Sequence, residues 1–254
     1  IKFGHINHIF ISHLHGDHIF GLFGLLSTYN LLGRKTDLYI YGHSELEKII
    51  SFYRKQFAEE LQYRIHIVTI GSRSLNLIFE DKVCEVYSFP LKHRVPSWGF
   101  LFKEKLKEPN IRKEAIELYK PGIKDILKIK QGEDFITNEG KKIANSELVI
   151  PSPQPRSYAY CSDTAYYERI SKWIEGVDLL YHEATFSDSE RKIAKQTGHS
   201  TASQAAMIAK KAGVKQLVLG HFSNRYKELD TLLNEARAIF PNTTLAEDLQ
   251  TISI

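Results

Sequence analysis

Four of the six residues in His13-Leu14-His15-Gly16-Asp17-His18 carry metal-ligating side chains, and this cluster restricts the fold more than any other stretch. An apolar strand-like run over residues 9–12 leads into it, and an apolar helical pattern over 19–32 leaves it. A loop flanked in this way is anchored by burial on both sides and lies at the exit of a strand. Histidines at i and i+2 on an extended or turn backbone can face one metal ion. Asp17 and His18 can turn to a second, with Gly16 relaxing the backbone. Mixed imidazole and carboxylate donors suit Zn2+ or another borderline divalent ion.

The rest of the chain supplies partners for that cluster. Strand-like runs at 38–41, 65–70, 83–89, 99–102, 158–161, 179–181 and 216–219 alternate with helical patterns at 45–60, 164–175, 188–196, 201–212 and 228–239. This is the α/β rhythm. Five of the runs end in a ligand-type residue: His13, His93, Asp163, His182 and His221. Ligand sites in α/β sheets gather outside strand ends, so these side chains are expected to converge.

Composition narrows the function classes. The two cysteines, Cys84 and Cys161, rule out a disulfide-stapled secreted scaffold and read as buried thiols, Cys161 with a chance of lining the site. The longest charge-free apolar stretch, 15 residues, is too short for a membrane span. Lys and Arg outnumber Asp and Glu by 34 − 30 = 4. Residues 101–132 hold nine bases against five acids, an equal excess of four. The apolar residues there suit two short helices around Lys120-Pro121-Gly122. The segment reads either as a solvated excursion or as a basic arm for a polyanion.

The motifs together resemble a known family. His-x-His-x-Asp-His is the signature of the metallo-β-lactamase superfamily. Residues 90–100, containing His93, resemble its third histidine motif, and Ser162-Asp163-Thr164 its bridging aspartate motif. With His182-Glu183-Ala184-Thr185-Phe186, Gly198-His199-Ser200-Thr201 and the segment from Gly220-His221 to Tyr226 following in order, the set resembles ribonuclease Z. The resemblance implies an αββα sandwich forming a single domain over residues 1–254, with an inserted tRNA-binding arm at about 101–147 and the family's N-terminal strands missing before residue 1. It also implies a zinc-dependent endoribonuclease, homodimeric and cytoplasmic. This enzyme would remove the 3′ trailer of precursor tRNA by hydroxide attack after the discriminator base.

Carried over residue by residue, the resemblance places one of two Zn2+ ions (Mn2+ or another divalent ion being possible) on His13, His15 and His93. The second falls to Asp17, His18 and His221, with Asp163 between them. Asp17 would also take the proton of the attacking water. His199, just before a helix that Ser200 or Thr201 can cap, is the candidate acid for the leaving 3′-oxygen, and Glu183 can orient it. His182 reads as a buried structural residue. Ser223 and Arg225 are candidates for phosphate contact, although Arg225 can equally pair with a carboxylate. Lys120, Lys124 and Lys128 are the arm's candidate tRNA contacts. Two other readings are a small-molecule metallo-hydrolase of the same superfamily and an RNA-binding module without metal.

Overall fold

The computed structural model describes residues 3–57 and 60–254. Residues 58 and 59, the end of the helix expected over 45–60, lie outside that description, as do residues 1 and 2. The chain begins with β1 (His8–Phe10), α1 (Gly16–Leu31), β2 (Leu38–Gly42), α2 (Leu46–Gln56) and β3 (Ile65–Thr69). The three strands form a parallel sheet in sequence order. The two helices pack on one face of it through Ile19, Leu22, Leu26, Leu46 and Ile50.

Next come β4 (Asn76–Glu80), β5 (Cys84–Pro90) and β6 (Trp98–Glu104). A second compact unit is made of residues 81–84, at the turn from β4 to β5, and residues 103–156, from the end of β6 onward. It contains β7 (Asn110–Ile111), α3 (Lys113–Tyr119), α4 (Ile123–Lys130), β8 (Phe135–Ile136), β9 (Lys142–Ile143), α5 (Asn145–Leu148) and β10 (Val149–Ile150). Its small core is Ala115, Ile129, Phe135, Ile143, Leu148 and Val149. Lys120, in the left-handed region at φ 44°, ends α3 and turns the chain through Pro121 and Gly122 into α4. These are the two short helices expected there.

The first unit resumes with β11 (Ser157–Cys161), α6 (Ile170–Trp173), β12 (Leu179–Glu183), α7 (Arg191–Thr197), α8 (Ala202–Ala212), β13 (Gln216–Gly220), α9 (Asp230–Arg237) and β14 (Thr243–Leu245). Its large sheet has the order β14-β13-β12-β11-β6-β5-β4, with β11 to β14 parallel. Small residues of α8 (Ala202, Ala205, Ala206 and Ala209) pack with Ile170, Leu180, Leu217 and Leu232 on one face. Between the two sheets lies an aromatic layer of Phe10, Tyr41, Trp98, Phe100 and Phe102. Helix, sheet, sheet and helix therefore follow one another in four layers, the αββα sandwich of the metallo-β-lactamase fold. Among the described residues no helix is long and apolar enough to cross a membrane.

Two local differences from expectation matter for the site. Helix α1 begins at Gly16, three residues early, with His15 extended at its cap and the His18 N–H bonded to the His15 carbonyl at 3.0 Å. Gly16 is thus an ordinary helical residue, outside the left-handed region, and Asp17 and His18 occupy the first turn, where the helix dipole favours the carboxylate. The helix expected over 164–175 shrinks to Ile170–Trp173 because its leading amides are used elsewhere. The Thr164 N–H goes to Glu183 Oε1 at 2.9 Å and the Ala165 N–H to the Lys92 carbonyl at 2.7 Å.

Candidate active site

His13, His93, Asp163 and His221 lie just beyond strands, whereas His15 caps α1 and Asp17 and His18 stand in its first turn. Backbone bonds from Ile11 N–H to the Tyr41 carbonyl (2.8 Å) and from Trp98 N–H to the Ser12 carbonyl (3.0 Å) carry the chain past β1 and deliver a fully buried His13. His93 stands three residues past β5, Asp163 two past β11 and His221 immediately past β13. His221 has φ 57°, a conformation that costs a non-glycine residue free energy and persists where the surrounding structure enforces it.

Two separate groups of donors result, His13, His15, His93 and Asp163 in one and Asp17, His18 and His221 in the other, and Asp163, His199 and His221 form a third that overlaps both. In the first, His15 Nδ1 lies 3.1 Å from His13 Nε2 and 3.4 Å from His93 Nε2. Asp163 Oδ2 faces this group, 3.5 Å from His13 Nε2 and 3.8 Å from His93 Nε2. Its Oδ1 faces the other, 3.4 Å from His18 Nε2 and 3.2 Å from His221 Nε2. Asp17 Oδ2 completes that group, 3.4 Å from His18 Nε2 and 4.0 Å from His221 Nε2. One buried carboxylate thus addresses both groups, one oxygen to each.

These residues fit divalent ions. Ligands placed ~2.1 Å from a tetrahedral ion lie about 3.4 Å from one another, the spacing found here. The buried His18 Nε2 makes no hydrogen bond in the structure, as expected of a lone pair meant for something else.

A further layer of bonds fixes the rings. His93 Nδ1–H donates to the Gly198 carbonyl at 2.8 Å, which leaves the Nε2 lone pair facing His15. Gly198 ends α7 at φ 78°, and a Cβ there would come within 3.0 Å of His93 Nδ1, so glycine is required twice over. Glu183, with no exposed surface, accepts the Thr164 N–H (2.9 Å), Thr185 N–H (3.1 Å), Thr185 hydroxyl (2.7 Å) and His199 Nδ1–H (2.9 Å). Because its hydroxyl proton goes to Glu183, Thr185 Oγ1 accepts from His221 Nδ1–H at 2.9 Å and directs Nε2 at Asp163.

The electrostatics follow the same layout. Burial holds His15 and His93 below the ordinary histidine pKa, the neutral form that metal ligation requires, whereas at His18 burial is outweighed by the Asp163 and Asp17 carboxylates, which raise it. Burial alone would raise Asp163, but His13, His18 and His221 outweigh it and hold the carboxyl well below the usual range. Burial would likewise lower His199, yet Glu183 overrides it and holds the ring above the ordinary value.

Other expected residues divide. Thr201, rather than Ser200, caps α8 in a reciprocal box with Gln204, while the Ser200 hydroxyl donates to the Thr164 carbonyl. His182 is buried, with Nδ1–H on the Glu183 carbonyl at 2.7 Å and Nε2 without a hydrogen-bond partner among the described residues. Cys161 lies in the helix-side core and lines nothing, its thiol pKa pushed up by burial. Ser223 follows the His221 turn and accepts from Arg225 Nε at 3.2 Å. Arg225 pairs with Glu190 at 3.2 Å and covers the Phe186 ring at 4.9 Å. Lys120, Lys124 and Lys128 lie in the second unit, exposed and without an ion pair among the described residues. Thr185 and Gly198 went unassigned in the sequence. Thr185 was findable, because alternation puts it on the same side as Glu183 two residues earlier.

Comparison with known proteins agrees with this geometry. A model of the metallo-beta-lactamase superfamily matches residues 4–134 and one of a beta-lactamase superfamily domain matches 130–222. Ribonuclease Z of Bacteroides fragilis (strain ATCC 25285) is 48% identical over 254 residues, 100% of this chain and 84% of the relative. That of Parabacteroides distasonis (strain ATCC 8503) is 49% identical over the same shares. The crystal structure of human tRNase Z, short form, matches with a TM-score of 0.67 at 30% identity, covering 100% of this chain and 81% of that one. A long-form RNase Z from yeast matches in fold, with a TM-score of 0.64 at 17% identity over 95% of this chain and 32% of its own.

Proposed function

Since this chain belongs to the ribonuclease Z family of the metallo-β-lactamase superfamily, we propose that it is the endoribonuclease that removes the 3′ trailer of precursor tRNA. It would cut after the discriminator nucleotide and leave a 3′-hydroxyl on the tRNA. The observation that carries this reading is the Asp163 carboxylate, with one oxygen toward His13 and His93 and the other toward His18 and His221.

His13, His15 and His93 would hold one divalent ion and Asp17, His18 and His221 a second, with Asp163 shared; the mixed donors favour zinc. Bound there, the ions would supply a water of near-neutral pKa and stabilise charge on the phosphoryl oxygens. Asp17, whose side chain is 70% exposed, would take that water's proton. His199 keeps Nδ1–H on Glu183 and can hold a second proton at Nε2 for the leaving 3′-oxygen. Glu183 positions both His199 and, through Thr185, His221.

Residues 101–147 would form an arm inserted into the metallo-β-lactamase domain and hold the tRNA body, with Lys120, Lys124 and Lys128 presented to phosphates. Ser223 and Arg225 lie on the turn just after His221 and would meet substrate phosphate there, Arg225 exchanging its Glu190 partner. A homodimer working in the cytoplasm would complete the reading.

The test is cleavage-site mapping on a 3′-extended precursor tRNA, with metal analysis of the same sample. A single cut after the discriminator nucleotide, with two metal equivalents per chain, is the expected result. An intact transcript in the presence of two bound metals sinks it, and turnover of small diesters alone would favour the small-molecule hydrolase.

A further inference from the structure

Beside His199 opens a cavity of about 270 Å³ that none of the roles above uses. Its walls are His199, Lys92, Tyr166, Arg191, Lys195 and Gln204, with the small side chain of Ala165 between them, and no carboxylate lines it. Arg191 and Lys195 stand four residues apart on α7, so they share one face of that helix. Like charges at this spacing destabilise a helix unless something offsets them. Among the described residues neither they nor Lys92 has an ion-pair partner.

The cavity is built on the same frame as the metal ligands. Lys92 donates its N–H to Thr164 Oγ1 at 3.0 Å and accepts the Ala165 N–H at 2.7 Å, while Thr164 N–H is held by Glu183. Gln204 uses its Oε1 on the Thr201 N–H, so its amide NH2 remains available as a donor. Three unpaired cations, an amide donor and an aromatic wall in a space of this size match one phosphate with one base stacked beside it.

We propose that this cavity binds an unpaired nucleotide flanking the cleaved bond, with its phosphate on Arg191, Lys195 and Lys92 and its base against Tyr166. The inference rests on the proposed nuclease function and deepens it, because it assigns the grip on single-stranded RNA next to the reaction. The nucleotide could come from the trailer or from the tRNA side of the cut.

The decisive variant is Arg191→Gln with Lys195→Gln, compared with Lys192→Gln, which removes an exposed charge on the same helix outside the cavity. The double variant should raise KM for precursor tRNA roughly tenfold or more, while Lys192→Gln stays within about twofold. With one- and three-nucleotide trailers, a defect that grows with length places a trailer nucleotide in the cavity. An equal defect places a nucleotide from the tRNA side there.

Calorimetry of the metal-loaded protein with uridine 5′-monophosphate separates this inference from the function it rests on. Binding that the double variant weakens by about tenfold supports the cavity even if precursor tRNA is not cleaved. Tyr166→Leu should weaken the nucleotide severalfold and leave inorganic phosphate unchanged. The proposal is overturned if the double variant cleaves precursor tRNA with an unchanged KM, or if it loses no more than Lys192→Gln.

Discussion

Around Asp163 the ring and carboxylate atoms are held from several sides by buried partners, whereas Lys120, Lys124 and Lys128 of the second unit stand in solvent with no ion pair among the described residues. The first arrangement is rigid, because Glu183 alone accepts four hydrogen bonds and each bond restricts a neighbour. The second leaves long side chains free to find phosphates of varied geometry, at the cost of ordering them on each encounter. Chemistry at a bond demands placement to a fraction of an ångström, and holding a polyanion demands only charge within reach.

That contrast can be broken most sharply at its centre. Asp163→Ala removes a donor from both groups at once, so metal content should fall and precursor cleavage should drop at least a thousandfold, a loss that chelation should reproduce. Retained metal and activity would mean that the two groups do not share a carboxylate.

Glu183→Gln should cost roughly 10- to 100-fold in kcat, because Gln cannot accept all four donors, while KM changes little. Thr185→Val, nearly isosteric, should weaken metal affinity by about tenfold and spare the fold, as read by titration against a chelator. In the second unit, changing Lys120, Lys124 and Lys128 together to Ala should act on KM far more than on kcat. It should lessen the steepness of log KM against log salt by about 2. A fall in kcat instead would make the lysines part of a placed site.

The smallest effect expected lies away from both regions. Asp178 accepts from the Ser157 N–H and hydroxyl, each at 2.7 Å, and pairs with Lys215 at 2.6 Å. Burial would raise its pKa, but Lys215 and Ser157 outweigh that and lower it. A lowered folded pKa means that the stabilisation is complete above the ordinary aspartate value, near 4, and fades as pH falls through the folded one. Asp178→Asn should therefore cost about 1–2 kcal/mol at pH 7 and less at pH 3, measured by urea unfolding, with cleavage intact.

The ligand types and their strand-end positions were legible because metal binding and strand burial both leave marks at fixed spacing. The strand–helix alternation showed an α/β chain, and the four-layer order came only through the family resemblance that those motifs carry. Three things were not legible. The early start of α1 and the shortening of α6 depend on which amides are claimed by residues far along the chain, such as Thr164 by Glu183. Gly198 carries its role in a backbone carbonyl, which no side-chain pattern records. The Arg191–Lys195 face reads as an ordinary solvated helix until Lys92 and Tyr166 are placed opposite it.

The Gly198 carbonyl also constrains how this chain can vary over generations. Helix α7 sets the angle from which that oxygen meets His93, and each added or removed residue would turn the helix end by about 100°. Between Glu190 and Gly198, then, spelling is free on the outer face but length is not. A one-residue insertion there should disarm the reaction as thoroughly as the loss of a ligand, although it touches none of them.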